Sequence, residues 1–204
     1  MPENWTGGAS SAWWAMPEQL PDPEAAPPAS PLGSLVSRRA IYTRNGVAWL
    51  SVRAWSHKAR QHDIAVMRAA KRALDPQVIA GAADELAHFA GLCLGPLPGW
   101  LVSTVAVGHS RRPDSFAVRL AEGVAERLGM PFEKIFADRF VEGVSHPKEF
   151  SKLPPLERLA EPNRPVLLID DVATSGWHIE EALTDIRRAG VPALALAWIS
   201  GTVK

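Results

Sequence analysis

The sequence predicts an α/β fold in which helices cover both faces of a largely parallel sheet. Short apolar runs alternate with segments whose apolar residues recur at helical spacing, and this alternation is typical of strand–helix–strand units. The chain has 204 residues, of which 47% are hydrophobic, which is enough for one domain with an extension. Its formal net charge is zero, so the composition does not indicate a polyanionic partner. Direct nucleic-acid binding is therefore not expected.

The predicted domain begins with a hairpin and a helix inside residues 36–75. Asn45 and Gly46 form a strong signal for a two-residue turn, and β-branched and aromatic residues flank them over residues 40–55. Residues 57–74 are polar and basic at first and then follow a helical pattern.

A second helix is expected to start at Asp75 and Pro76, which suit its N-cap and first position. The apolar stripe of this helix continues to about Cys93 and predicts that the cysteine lies in the core.

The remaining elements alternate between strand and helix up to the end of the chain. They are a strand at 101–107, a basic loop at 108–113, a helix at 114–128 stopped by Gly129, a strand at 132–140, a strand at 165–169, a helix at 178–189 and a strand at 191–199. In such a sheet, ligands bind at the carboxyl ends of the strands.

Residues 1–35 differ in composition from the rest of the chain. They contain seven of its 18 prolines, four acids and no Lys or Arg, so we expect a flexible extension that does not fold alone. Trp5, Trp13 and Trp14 are unusual in a linker. An arm packed on its own domain or on a sister subunit and a docking peptide for another protein both remain open.

The compartment is expected to be the cytoplasm. Cys93 is the only cysteine, which rules out an internal disulfide framework. We expect neither a membrane span nor a signal peptide, because no apolar run is long enough and the N-terminus lacks a basic segment. The six histidines show no metal-binding spacing.

Residues 166–178, VLLIDDVATSGWH, are the most informative segment of the chain. An apolar strand ends in Asp170 and Asp171, a small hydroxyl-rich turn follows, and a helix begins. Backbone N–H groups converge at such a helix start and hold phosphate well. The two carboxylates can accept hydrogen bonds from sugar hydroxyls or hold Mg²⁺ through water. One loop could therefore hold a phosphorylated sugar at both ends.

Segments of this kind also occur in other classes of protein. An apolar strand ending in two acids also opens receiver domains, but only 33 residues follow Asp171. The Mg²⁺-binding strand of P-loop NTPases requires a G-x-x-x-x-G-K-[ST] run, which the chain lacks. A buried strand whose carboxylates only cap the next turn remains open.

The segment resembles the phosphoribosyl diphosphate (PRPP) motif of type I phosphoribosyltransferases. That motif has four apolar residues, two acids, two apolar residues and then Thr-Thr-Gly-x-Thr. The resemblance implies that Asp170 and Asp171, which we take as catalytic, contact the ribose 2′- and 3′-hydroxyls. It also implies a turn that binds the 5′-phosphate. The residues of this turn are Thr174, Ser175, Gly176, Trp177 and His178.

The motif departs from the family pattern at two positions. Ala173 replaces a larger aliphatic residue, and His178 stands where Thr or Ser is usual. Trp177 is also unusual directly after the glycine, and it could cover the sugar, stack on a base or pack on the adjacent strand.

The resemblance implies a diphosphate site in the loop after the strand at 101–107. Basic and hydroxyl groups there would neutralise the diphosphate. The candidate residues in this loop are Gly108, His109, Ser110 and Arg111. Residues 141–155 would close as a lid, with Lys148 or Lys152 reaching the diphosphate. The alternative for the loop at residues 108–113 is a solvated basic loop that binds no ligand.

Residues 101–199 look most similar to the ComF-like branch of this family. The Arg-rich loop and the later segment SKLPPLERL carry this resemblance. Members of the branch often have an N-terminal cysteine metal site, which this chain with one cysteine cannot build.

The resemblance implies a phosphoribosyltransferase that uses PRPP and Mg²⁺, with the ion held through Asp170, Asp171 and PRPP itself. It would transfer ribose 5-phosphate from PRPP to a nitrogen nucleophile, a nucleobase, with release of diphosphate. Residues 36–75 are then the candidate hood that selects the base, which the sequence does not identify, and a homodimer is open. The alternatives are a regulator that binds PRPP or a nucleotide without chemistry and a ComF-like accessory protein of DNA uptake.

Overall fold

A computed structural model of the chain describes residues 33–58, 60–106, 114–139 and 154–203. It confirms the α/β fold, with a five-stranded, mostly parallel sheet flanked by helices. In chain order the elements are β1 (Val36–Arg44), β2 (Val47–Ser56), α1 (Arg60–Ala73), α2 (Pro76–Leu94), β3 (Leu101–Thr104), α3 (Phe116–Leu128), β4 (Val166–Ala173), α4 (Trp177–Arg188) and β5 (Ala193–Val203).

The sheet has the strand order β1-β2-β5-β4-β3. The first pair, β1 and β2, is antiparallel, and the other three pairs are parallel. Strand β4 therefore lies inside the sheet with a neighbour on each side, and Ile169 pairs with Thr104 of β3 and Leu196 of β5.

The predicted hairpin turn is confirmed at Asn45 and Gly46. Both residues have positive φ, 46° and 78°, as a turn that follows the twist of two antiparallel strands requires. Because β2 also pairs with β5, the hairpin belongs to the same sheet as the rest of the fold. Whether residues 36–75 act as a hood stays a prediction.

The helix boundaries follow the capping signals in the sequence. Asp75 Oδ1 accepts hydrogen bonds from the N–H groups of Gln77 at 2.9 Å and Val78 at 3.3 Å, which starts α2 as predicted. Gly129 adopts the left-handed conformation that ends α3.

Two cores lie on opposite faces of the sheet. Alternate residues of β4 enter them, as the period of a strand requires. Leu167 and Ile169 pack with residues of α1, α2 and α3, whereas Val166 and Leu168 pack with residues of α4. No helix among the described residues has the length and hydrophobicity that a bilayer crossing needs.

The predicted strand at 132–140 is wrong for its described part, which ends at Arg139. This segment forms only isolated bridges, from Phe132 to Val102 and from Phe136 to Arg158. The amide of Ile135 donates to the Ser103 hydroxyl at 3.3 Å instead of to a strand carbonyl, so the ladder to β3 is not continued.

The predicted core position of Cys93 is also wrong, because the thiol-bearing residue is exposed. The buried stripe of α2 ends at Ala90, and in the last turn Leu94 packs against the core. The helix extends to Leu94, as the periodicity predicts, but its buried residues do not include Cys93.

Candidate functional site

Two carboxylates, those of Asp170 and Asp171, lie towards the carboxyl end of strand β4. Its residues Val166 to Ile169 are fully buried, which fixes the strand between its two neighbours. Asp170 and Asp171 continue the strand, and only 8% and 7% of their surfaces are exposed. Two adjacent acids are thus held in a place where charge is costly unless it is compensated.

Burial, followed by the negative charge of Asp171, raises the pKa of Asp170 to about 7. The ammonium of Lys71 and the backbone N–H groups of Asp171 and Val172 oppose this rise. Near neutral pH, Asp170 therefore exists in both its protonated and its ionised form.

Lys71 of α1 is a residue of this site that the sequence did not reveal. Its Nζ lies 2.8 Å from both Oδ1 and Oδ2 of Asp171. The Lys71 side chain is 36% exposed, whereas that of Asp171 is 10% exposed. The ammonium therefore neutralises Asp171 from the side of the site that solvent can reach.

The predicted phosphate turn lies between β4 and α4, directly after the acids. Thr174 is exposed, Ser175 is half-buried, and Gly176 is the N-cap of α4 with φ of 70°. Gly176 provides no side-chain hydrogen bond to the first turn, and the Ser175 hydroxyl accepts a long one, 3.4 Å, from the N–H of Trp177. An anion at this helix start would be favoured by the helix dipole.

Gly176 is constrained by an aromatic ring of the hairpin. A Cβ on Gly176 would lie 2.2 Å from Cη2 of Trp49, so the turn passes directly over the indole. Two constraints therefore act on Gly176, namely the contact with Trp49 and the left-handed backbone conformation.

The hairpin supports the turn through an aromatic pair. The rings of Tyr42 and Trp49 stack with centroids 5.7 Å apart. Both side chains also bind Ser200 of β5, since Tyr42 OH donates to its carbonyl at 2.8 Å and Trp49 Nε1 donates to its hydroxyl at 3.2 Å. This arrangement ties β1, β2 and β5 together beneath the motif.

Polar side chains at the tip of the hairpin bind the motif from its other side. Arg44 forms an ion pair with Glu180 in the first turn of α4 and donates to the carbonyl of Ser175 at 3.3 Å. Asn45 donates to the same Glu180 carboxylate at 2.8 Å. The position of the turn is therefore set by residues about 130 positions earlier in the chain, since Arg44 and Ser175 are 131 residues apart.

Trp177 and His178 pack against each other at the start of α4. Their rings meet edge to face with centroids 5.1 Å apart. The guanidinium of Arg139 lies 5.4 Å from the centre of the Trp177 ring and binds Glu181 on the next turn of the helix. Packing under Arg139 is a role for Trp177 that the sequence did not suggest.

The predicted diphosphate residues Gly108, His109, Ser110, Arg111, Lys148 and Lys152 lie outside the described residues. The described chain approaches the first loop beside the acids, because Thr104, the last residue of β3, donates through its hydroxyl to the carbonyl of Ile169 at 3.1 Å. The structure thus brings the acids, Lys71 and the turn together and leaves the diphosphate residues as predictions. Within the described ranges, no three His, Cys, Asp or Glu side chains form a group that could hold a metal ion.

Comparisons with known proteins give matches among solved structures only. No protein-family model and no curated protein matches the chain. Orotate phosphoribosyltransferase from Aeropyrum pernix is 19% identical, with 83% of this chain and 77% of that chain covered and a TM-score of 0.42. A hypoxanthine phosphoribosyltransferase from Staphylococcus aureus is 13% identical, with 61% and 72% covered and a TM-score of 0.41. Adenine phosphoribosyltransferase from Leishmania tarentolae is 13% identical, with 80% and 84% covered and a TM-score of 0.40. Identities this low concern the general fold and not the residues of the site.

Proposed function

We propose that this protein is a phosphoribosyltransferase, which transfers ribose 5-phosphate from PRPP to a nitrogen nucleophile, a nucleobase, with release of diphosphate. The observation that carries the proposal is the direct succession of two buried acids at a strand end, an exposed hydroxyl turn and a helix start, all inside residues 170–178. At one end of this short loop, the carboxylates can accept hydrogen bonds from sugar hydroxyls. At the other end, the backbone N–H groups of the helix start can bind a phosphate.

In this proposal the acids bind the sugar and the turn binds its phosphate. Asp170 and Asp171 accept hydrogen bonds from the ribose hydroxyls. The hydroxyl of Thr174, which is exposed, and the backbone N–H groups at the start of α4 bind the 5′-phosphate. The Trp177 ring packs under Arg139, so it supports the helix start while its backbone contributes to the cradle.

The diphosphate is assigned to residues 108–111 and to Lys148 or Lys152, as the motif resemblance implies. Cations and backbone N–H groups there would stabilise the charge that develops on the leaving group. As the bond to C1 of the ribose breaks, the sugar gains positive charge, as in other glycosyl transfers. The protein's own tasks are to align the two reactants and to exclude water.

Mg²⁺ fits the residues of this site. The ion commonly binds one or two carboxylates together with substrate phosphates, and the acid pair supplies two carboxylates. Asp170 and Asp171 would hold it together with PRPP. The chemistry that Mg²⁺ supplies is neutralisation of diphosphate charge.

The finer assignments are part of the same proposal. The ComF-like branch is proposed from the segments that resemble it. The cytoplasm is proposed because the chain contains a single cysteine. A homodimer and a base-selecting role for residues 36–75 complete the proposal.

Diphosphate release tests the activity. The protein is incubated with PRPP, Mg²⁺ and a panel of bases that includes orotate, adenine and hypoxanthine. We expect release with one base, and no release from the Asp170→Asn/Asp171→Asn variant. Tight PRPP binding without release for any base would contradict the transferase and favour the regulator.

A further inference from the structure

The ion pair between Lys71 and Asp171 places a cation in the candidate site. This cation lies outside the sequence motif of residues 166–178. Lys71 lies in the last turn of α1, and Asp171 lies 100 residues later in β4. The two elements come together because β4 is an inner strand of the sheet and α1 packs on one face of that sheet.

The geometry of the pair leaves both partners able to bind a further group. An ammonium has three N–H donors, and two of them suffice for the two Asp171 oxygens, each 2.8 Å away. Each carboxylate oxygen has a second acceptor site. The Lys71 side chain is 36% exposed, so the third donor can reach a molecule entering from solvent.

We propose that Lys71 is the positioning residue that orients Asp171 for one hydroxyl of the ribose, and thereby sets the preference of the site for ribose over deoxyribose phosphates. This inference rests on the proposed function, since it concerns the sugar that the function requires. Lys71 holds the carboxylate in one orientation before the ligand arrives. A carboxylate fixed in this way loses little freedom when a sugar hydroxyl donates to it.

The alternative is that Lys71 acts only as a surface charge that attracts any phosphate. Long-range attraction would act equally on ribose 5-phosphate and on its deoxy analogues, because all of them carry the same phosphate. Positioning of Asp171 acts only on sugars that have the hydroxyl in question. If Lys71 only attracts phosphate, its loss should weaken the binding of all three sugar phosphates equally. If Lys71 positions Asp171, its loss should reduce the preference for ribose 5-phosphate over one deoxy analogue.

The test measures affinities by calorimetry for ribose 5-phosphate, 2-deoxyribose 5-phosphate and 3-deoxyribose 5-phosphate. The proteins are the wild type, Lys71→Met, Lys71→Arg and Arg72→Met. Arg72 is the exposed neighbour of Lys71 on the same helix turn, so its replacement removes one charge near the site without removing the ion pair. Lys71→Arg keeps a cation that can bind a carboxylate.

We expect Lys71→Met to weaken ribose 5-phosphate binding on the order of tenfold, the usual loss for one hydrogen bond to a charged group. One deoxy analogue, which lacks the hydroxyl bound by Asp171, should lose little. Arg72→Met should shift all three affinities equally and slightly, and Lys71→Arg should keep most of the ribose preference.

The inference is overturned if Lys71→Met weakens all three ligands by one common factor, or if it changes none of them. A folded wild type that binds none of the three phosphates would overturn the proposed function as well, and the two failures are thereby distinguished. Unfolding curves of each variant establish that the measured protein is folded.

Discussion

The indole of Trp49 lies directly against Gly176, so that a Cβ on this glycine would be 2.2 Å from Cη2 of the ring. The contact joins the hairpin near the beginning of the domain to the turn that starts α4. It explains why the turn needs a glycine even before any ligand is considered. The hairpin therefore supports the turn of the candidate site.

This contact predicts that Gly176→Ala destabilises the fold through both strain and overlap. The left-handed backbone alone costs a non-glycine residue roughly 1–2 kcal/mol, and overlap with Trp49 adds roughly 1–3 kcal/mol. Urea unfolding measures the sum. Gly190→Ala is the matched control, since Gly190 has φ of 77° but nothing within 4 Å of an added Cβ. Equal losses at the two glycines would contradict the importance of the Trp49 contact.

The raised pKa of Asp170 predicts a specific dependence of stability on pH. A carboxyl whose folded-state pKa is about 7, against 3.8 as the ordinary value, binds its proton more tightly in the folded state. The contribution of this carboxyl to stability is complete below pH 3.8 and is lost progressively as the pH rises from 3.8 to about 7. Over that range the loss reaches up to about 4 kcal/mol, at 1.36 kcal/mol for each pH unit.

The comparison with Asp170→Asn isolates this contribution, because other acids of the protein titrate in both proteins. We expect the variant to be more stable than the wild type at pH 8 and to lose that advantage towards pH 4. Urea unfolding at intervals between these values provides the measurement. A difference that does not change with pH would show that Asp170 titrates normally.

A buried ion pair away from the site predicts a loss of stability without a loss of binding. Glu85 of α2 accepts from Arg53 at 3.0 and 2.5 Å and from Trp198 Nε1 at 2.8 Å. Glu85→Ala leaves a buried cation unpaired and should cost about 3–5 kcal/mol. Asp84→Ala, which breaks an exposed pair with Arg127, should cost at most about 1 kcal/mol. Neither variant, once folded, should change affinity for ribose 5-phosphate.

The exposed hydroxyl of Thr174 predicts a loss of ligand binding without a loss of stability. Thr174→Ala removes a donor to the phosphate and should weaken ribose 5-phosphate binding by roughly 1–3 kcal/mol. Because Thr174 is exposed, stability should change little. Thr184→Ala, further along α4, is the control and should leave binding unchanged. If Thr174→Ala alters stability but not affinity, the turn is only structural.

Local patterns in the sequence predicted the elements that depend on nearby residues. The Asn45-Gly46 turn, the Asp75 cap and the helix after Gly176 all follow from the conformations that these residues adopt. The strand with two acids is predictable because its apolar run and its acids are contiguous. The predicted end at residue 169 is too early, since the pairing with β5 continues to Ala173.

The contacts that complete the site could not be predicted, because they join residues far apart in sequence. Lys71 and Asp171 are separated by 100 residues, and nothing in the basic pattern of α1 distinguishes Lys71 from Arg68 or Arg72. The contact of Trp49 with Gly176 likewise depends on β2 lying next to β5. The order of strands in the sheet, which the sequence does not determine locally, brings these groups together.

The most direct test of the central claim is a calorimetric titration of PRPP with Mg²⁺ into the wild type and Asp170→Asn/Asp171→Asn. The matched control is Asp84→Asn/Glu161→Gln, which removes two charges from side chains that are 57% and 76% exposed. We predict that wild type and control bind PRPP equally and that the site variant, folded by its unfolding curve, does not bind. Equal binding by all three proteins would contradict the assignment of residues 170–178 as the PRPP site.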